Sequence, residues 1–507
     1  MKPFLYQVAS LFYSKYGAEV SRLAFVFPNR RTGLFFQKYL SEVSEKPLFS
    51  PTILTINDLF VQLSGKQTAD RISMLFKLYD IYLNHSGSSE TFDEFLYWGE
   101  MLLNDFDDID KYMVDARMLF TNVTDLREIE NDFSFLSPEQ VAAIRTFWSS
   151  FYPKGDTPNQ EQFLAVWQIL YALYTDLRET LAAEGKGYEG MIFREVVEQM
   201  EKNECCDLPY TKVVFVGLNA LSVAEERFLS ELQKREIADF YWDYASPKVT
   251  DPDNKASYFV ERNLRRFPSQ LKVESGKLKV ESEDSNAKPL STFNSQLSTI
   301  NDIEQEFIFH YFATVNRMKE VMREANVEMK IDTYFRLLKR VTDTITIPFH
   351  GEPLSGLQIM GVLETRALDF DRLIILSMNE GIFPLRKAAN SFIPYNLRRG
   401  FGLPTYEHQD SVWAYHFYRL IYRASHVSLL YDTRSNGLQT GEVSRFVHQL
   451  HYHYEEPIQN KLVVYNVSSS KTPALQVAKT EEVMNRLVAF RSGGTRAMSG
   501  SAGKTYL

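Results

Sequence analysis

Lys212-Val213-Val214-Phe215-Val216-Gly217 is the stretch on which the fold turns. A continuous apolar run that stops at a glycine reads as a strand buried on both faces, the habit of a parallel sheet. A run of the same kind, Leu23-Ala24-Phe25-Val26-Phe27, stands far upstream and stops at Pro28-Asn29-Arg30-Arg31. Thr32 to Leu40 then carries helical spacing in Leu34, Phe35, Tyr39 and Leu40. Thr52-Ile53-Leu54 reads as a second strand, and Thr55-Ile56-Asn57-Asp58 as a capping box that starts a helix. After Gly217 the pattern repeats, with Ser222-Val223-Ala224-Glu225 capping a helix and Ile237 to Trp242 forming another strand. From about Asp70 to Met200 the spacing is instead that of long amphipathic helices, one of them starting at Ser137-Pro138-Glu139-Gln140. The expectation is one α/β domain with a large all-α block inserted in it.

Downstream, Leu271-Lys272-Val273-Glu274-Ser275 recurs as Leu278-Lys279-Val280-Glu281-Ser282 and a polar stretch follows, which reads as a linker or an insertion. Helical spacing resumes from Ile303 to Val341. A second α/β unit follows, with strands expected near Leu357–Leu363, Arg372–Ser377 and Val427–Tyr431. The division expected is 1–68 and 206–266 for the first α/β domain and 69–205 for its helical insertion. Residues 267–303 are then a low-complexity linker, 304–345 a helical segment, 346–457 the second α/β domain, and 458–507 a foreign or truncated tail.

The formal net charge is −9 over 507 residues, so the chain does not advertise nucleic-acid binding, although one basic channel is compatible with an acidic whole. Cys205 and Cys206 are the two cysteines; adjacent thiols rarely pair and cannot complete a four-cysteine metal or iron–sulfur site. No signal peptide and no transmembrane run is read, so a cytoplasmic protein without membrane partners is expected.

The second α/β unit holds the most specific text. Gly361-Val362-Leu363-Glu364-Thr365-Arg366-Ala367-Leu368-Asp369-Phe370-Asp371 leads into a strand, and Met378-Asn379-Glu380-Gly381-Ile382-Phe383-Pro384 follows it. Then come Arg398-Arg399-Gly400-Phe401-Gly402-Leu403-Pro404, Tyr418-Arg419-Leu420-Ile421-Tyr422-Arg423-Ala424 and Gly441-Glu442-Val443-Ser444-Arg445-Phe446. This series resembles the second RecA-like domain of UvrD/RecB-type helicases. More narrowly, with Phe25–Leu40, the stretch from Trp98 to Tyr112 and Tyr188-Glu189-Gly190-Met191, the chain resembles AddB and RecC subunits, and the AddB-like nuclease-family proteins of Bacteroides-type bacteria.

The resemblance implies two RecA-like domains, the first with a large all-α insertion, and a nucleotide site that has been lost. A phosphate loop needs glycines and a lysine after the first strand, where this chain has Pro28-Asn29-Arg30-Arg31-Thr32-Gly33. The return strand ends in Gly217-Leu218-Asn219-Ala220, without the acidic pair that holds magnesium. A lookalike, Ser499-Gly500-Ser501-Ala502-Gly503-Lys504-Thr505, lacks the first glycine and has two residues after it. Relatives of this type end in a PD-(D/E)xK nuclease domain, expected beyond residue 507. Glu184-Gly185-Lys186 and Glu328-Met329-Lys330 match its short string but read as surface charge. His448, His451 and His453 lack a fourth ligand and read as exposed residues, and Asp105 to Asp110 as a solvated helix–loop boundary.

No catalytic site, metal or cofactor is therefore expected in this chain. The implied function is that of a non-motor DNA-binding subunit of an AddAB/RecBCD-like helicase–nuclease in recombination repair of double-strand breaks. Its implied partners are DNA, single-stranded or duplex ends, and an AddA-like helicase–nuclease subunit. By resemblance, DNA crosses the loops Asn29, Arg30, Arg31 and Thr365, Arg366, with Arg398 and Arg399 extending the basic surface beside Arg386 and Lys387. The plainer alternative for Arg366 is an ion pair with Asp369 or Asp371. Two other readings stay open: the N-terminal fragment of a PD-(D/E)xK exonuclease, and a protein-interaction scaffold without DNA contact. The chain also reads as compressed between Trp242 and Gly361, so the second domain is expected to be incomplete.

Overall fold

Leu23–Phe27 (β1) has five apolar residues in a row, and all five are buried. It lies in a parallel sheet with Thr52–Thr55 (β2) on one side and Lys212–Val216 (β5) on the other, and Ala238–Tyr241 (β6) completes the order β2-β1-β5-β6. Strand side chains alternate between faces. Phe25, Phe27, Val214 and Val216 meet the helices Phe4–Tyr16 (α1) and Arg30–Val43 (α2) on one face. Ala24, Val26, Val213 and Phe215 meet Ile56–Ser64 (α3), Glu189–Glu201 (α8) and Val223–Lys234 (α9) on the other. Both expected capping boxes form, Thr55 with Asp58 on α3 and Ser222 with Glu225 on α9.

The computed structural model describes residues 2–120, 158–204, 208–244, 255–269, 300–325, 327–345, 354–385, 391–434, 441–453, 458–463 and 478–491, with three isolated positions between 138 and 142. The helix start expected at Ser137, the cysteine pair, Arg386 and Lys387, most of 267–303 and the glycine-bearing tail at 499–505 lie outside these residues.

Between β1 and β5 come Arg71–Ser86 (α4), Phe92–Lys111 (α5), Ala116–Leu119 (α6), Pro158–Ala183 (α7) and α8. They share an aromatic-rich core that includes Phe92, Phe95, Phe106 and Trp167. A short parallel ladder, Gln67–Thr68 (β3) with Lys186–Gly187 (β4), joins the entry and exit of this block. One expectation needs correcting here. Asp105 to Asp110 is not a solvated boundary: α5 runs through it, and Asp105 and Asp110 are buried. Asp110 forms ion pairs with Arg178 of α7 at 2.8 Å and Arg194 of α8 at 2.7 Å, and accepts hydrogen bonds from the hydroxyls of Tyr174 and Tyr188. Those partners, remote in sequence, make the burial of a carboxylate tolerable.

After Tyr258–Arg266 (α10), the helix Ile300–Ala325 (α11) packs on Ile331–Thr344 (α12) and on α4. Arg372–Ile375 (β7) and His426–Leu429 (β8) form a two-stranded parallel sheet, covered on one face by Tyr406–Tyr422 (α14), with Tyr395–Gly400 (α13) before it and Arg445–His453 (α15) after it. A strand expected at Leu357–Leu363 is absent: that segment is extended and then turns through a 3-10 helix at Val362–Thr365. Its end and the residues on either side of it are bonded to the first α/β unit. The carbonyls of Leu354, Leu363 and Arg366 accept hydrogen bonds from Lys38, Asn29 and Thr32 of the first α/β unit. A strand needs a neighbouring ladder, and Leu357–Leu363 pairs with no described strand.

Met1–Tyr452 form one compact unit, to which all of these contacts belong, and His453–Leu507 a second, in which Glu481–Arg491 (α16) is helical.

Candidate nucleic-acid interface

In open α/β sheets ligands gather at the carboxyl ends of the parallel strands. Here β1 ends at Phe27 and β5 at Val216, and Pro28 and Gly217 follow them on the same edge of the sheet. Asn29 caps α2, its Oδ1 accepting from the Thr32 N–H at 2.8 Å, while its Nδ2 donates to the Leu363 carbonyl at 3.2 Å. The Thr32 hydroxyl donates to the Arg366 carbonyl at 2.8 Å. Residues 29–31 and 363–366, singled out from opposite parts of the sequence, therefore touch.

Their cations are not equivalent. The Arg30 side chain is 83% exposed and reaches Asp58 at 3.4 Å, a loose pairing of little energetic worth. Arg31 is mostly covered and forms an ion pair with Glu364 at 2.9 Å. Arg366 is half-buried; burial holds its guanidinium below its ordinary value, and its Nε has no hydrogen-bond partner. The carboxylates proposed to serve Arg366 are otherwise engaged. Asp369 accepts from the Phe4 N–H at 2.7 Å and pairs with Arg419 and Arg423, and Asp371 accepts from Ser425. The Thr365 hydroxyl donates to the Val362 carbonyl at 2.7 Å.

Behind these loops lies a buried ionic lock that sequence reading missed. Asp243, just past β6, accepts from Arg419 Nε at 2.5 Å and from Arg423 Nη1 at 2.8 Å, and both arginines also reach Asp369. All four side chains are at most 8% exposed. Burial raises the Asp243 pKa, but Arg419 and Arg423 outweigh it and hold the carboxyl below the usual range. Thus Arg423, in the Arg-Ala pair at the end of α14, joins the two α/β units through their own carboxylates. On the same helix His416 is 4% exposed; burial first, then the charges of Arg366 and Arg419, push its imidazole down to about 3.

Arg398 corrects another expectation. Its guanidinium is not part of a basic surface: it is buried, with Nη1 on Asp105 at 2.9 Å, Nη2 on Asp108 at 2.5 Å and Nε on the Pro404 carbonyl at 3.0 Å. Burial pushes the Asp105 carboxyl up to about 6, against the lowering pull of Ser391 and Arg398. Arg399 points the other way, exposed and without an ion pair among the described residues. It lies one turn from Tyr395, whose ring stacks on Tyr406 with centroids 5.5 Å apart and planes 23° apart. Both rings are exposed, and Tyr395 donates to Glu407 at 2.6 Å. Nothing in the local sequence marked these tyrosines, because α13 and α14 bring them together across a loop.

The remaining candidates have plain roles. Glu184 pairs with Lys77 and Lys186 at the surface, Lys330 donates its N–H to Asp93, and His448 and His451 are exposed on α15. Among the described residues no group of three or more His, Cys, Asp or Glu is placed to hold a metal ion, and no helix is long and apolar enough to cross a membrane. No family model matches this chain, and no curated protein is similar to it.

Proposed function

We propose that this chain is a non-motor, DNA-binding subunit of a helicase–nuclease of the AddAB/RecBCD kind, acting in recombination repair of double-strand breaks beside an AddA-like partner. The observation that carries the reading is the meeting of residues 29–31, at the start of α2, with residues 363–366 at the carboxyl edge of the parallel sheet. Two RecA-like domains packed through their own loops, with Arg30 facing solvent and Arg31 and Arg366 behind it, give a surface that can hold a phosphate backbone. The stacked Tyr395 and Tyr406 beside Arg399 add flat apolar faces, which suit unstacked bases of a single strand. Arg419 and Arg423 spend their charge on Asp243 and Asp369, so the arginines of α14 hold the units together and leave no free cation for a nucleotide.

The test is salt-dependent binding to single-stranded and end-bearing duplex DNA. Each phosphate contact on a single strand contributes about 0.7 to the slope of log affinity against log salt. Replacing Arg30, Arg31 and Arg366 together with alanine is expected to flatten that slope by roughly 1 to 2 and to weaken all sequences alike. An unchanged slope at unchanged affinity removes the proposed path.

A further inference from the structure

The stacked tyrosines beside Arg399 stand on two elements that are seated on different parts of the chain. α14, which carries Tyr406, shares a core with β7: Ala414, Phe417 and Leu420 cluster with Ile375 and Phe446. α13, which carries Tyr395 and Arg399, does not belong to that core. Ile393, Leu397, Phe401 and Leu403 are part of the core of the helical insertion, together with Phe92, Phe106 and Trp167. The Trp167 ring stacks on that of Phe392, with centroids 6.3 Å apart and planes 18° apart. A segment that follows β7 in sequence thus belongs, by its packing, to the block inserted between β1 and β5.

One carboxylate fixes this seat. Asp105 of α5 is 1% exposed. Its Oδ1 accepts from the Ser391 hydroxyl at 2.6 Å and from Arg398 Nη1 at 2.9 Å. Its Oδ2 accepts from the N–H groups of Phe392 at 2.7 Å and Ile393 at 3.3 Å. Hydrogen bonds to a buried carboxylate are strong and directional, so the whole 391–398 segment is held against α5. Along α13 the two sides differ. Leu397, Arg398 and Phe401 are buried, while Tyr395 and Arg399, one turn apart, are exposed. Fixing the buried side fixes where the Tyr395 ring and the Arg399 guanidinium stand against Tyr406.

We propose that Asp105 is a positioning residue for single-strand binding: through it the helical insertion sets how Tyr395 and Arg399 meet Tyr406. The stacking face is then complete only while α13 is seated on the insertion. This inference rests on the DNA-binding reading given above. It gives α5, which contributes no contact to nucleic acid in that reading, control over how tightly a single strand is held.

Asp105→Asn keeps the shape of the side chain and turns one acceptor into a donor that opposes donors of the 391–398 segment. Amide hydrogen exchange of the free chain and affinity for single-stranded DNA are measured in this variant, alone and combined with Arg399→Ala or Arg30→Ala. Exchange at Phe392 and Ile393 is expected to rise about tenfold or more. Affinity is expected to fall about fivefold or more, the effect of losing one stacked base. That loss overlaps with the loss in Arg399→Ala and adds to the loss in Arg30→Ala, whereas a general loss of stability weakens both backgrounds alike. Ser391→Ala removes one donor and leaves both Arg398 ion pairs in place. It shows the same pattern at smaller size, and it decides the matter where Asp105→Asn does not fold. Affinity unchanged in the folded variants, or a loss that adds fully to Arg399→Ala, overturns the proposal and leaves DNA binding itself standing. A wild-type chain without affinity for single-stranded DNA overturns both readings.

Discussion

Gly217 and Ala367 approach so closely that a β-carbon on Gly217 would lie 2.6 Å from that of Ala367. Gly217 directly follows β5, and Ala367 stands in the loop before β7, so the two α/β units meet there nearly backbone to backbone. Both residues hold positive φ, 69° and 57°. Glycine takes that conformation freely and alanine does not. The second unit thus sits on the first by close approach as well as by the charged residues around it.

Replacing Gly217 with alanine is therefore expected to destabilise the chain by about 2–4 kcal/mol, from left-handed strain and overpacking combined. The same change in an Ala367→Gly background costs less, with a coupling of at least about 0.5 kcal/mol. Denaturant unfolding of the four chains measures this cycle, and simple additivity would refute the contact.

Arg419→Met leaves Asp243 and Asp369 buried beside Arg423 alone. Removing one member of a buried ion pair costs about 3–5 kcal/mol, and unfolding by urea is expected to show a loss of that size. Limited proteolysis is expected to cut first in the segment between α12 and β7, as the units separate there.

His416 gives the chain an acid sensitivity whose sign is fixed. Its pKa lies at about 3 in the folded state against an ordinary 6.5. Between those values the unfolded chain binds a proton that the folded chain refuses, so stability falls as pH drops through that window, by up to about 1.4 kcal/mol per unit. His416→Phe removes this component. The stability difference between variant and wild type is expected to shift in favour of the variant from pH 6.5 downward, which thermal denaturation as a function of pH records.

Arg398 and Arg399 are neighbours with opposite expectations. Arg398→Ala strands Asp105 and Asp108 and is expected to cost about 3–5 kcal/mol of stability. Arg399→Ala is expected to leave stability within about 0.5 kcal/mol and to weaken single-stranded DNA binding several-fold, as is Tyr406→Ala. Unchanged binding in both surface variants would leave the stacked tyrosines without a role in DNA contact.

What the sequence made legible was whatever its physics decides locally. β1 and β5 announce themselves as unbroken apolar runs, and the Thr55 and Ser222 caps satisfy backbone groups three residues away. Arg366 could be placed between elements because the strand and motifs around it were readable, whereas Arg30 and Arg31, expected in a loop, open α2. Arg398 could not be placed, since its carboxylates stand on α5, nearly three hundred residues earlier, and two adjacent arginines look like one basic patch. The Asp105–Asp110 run misled for the same reason: a dense cluster of acids suggests water unless its distant arginines are known. Leu357–Leu363 has the apolar content of a strand, but strand formation depends on a neighbour, and no described strand lies beside it.

β1 and β5 are hydrogen-bonded neighbours, yet Leu23 faces Lys212. During synthesis at about 5–20 residues per second, β1 waits roughly 10–40 s on the ribosome for the strand that covers its edge. In that interval β1 has β2 on one edge and α2 on one face, but its other edge, where β5 belongs, is unpaired. The helices of the insertion emerge before β5, so much of the nascent chain's middle is made before the edge of its first strand is paired. The edge of the sheet that β5 closes is therefore the last part of the first α/β unit to be satisfied.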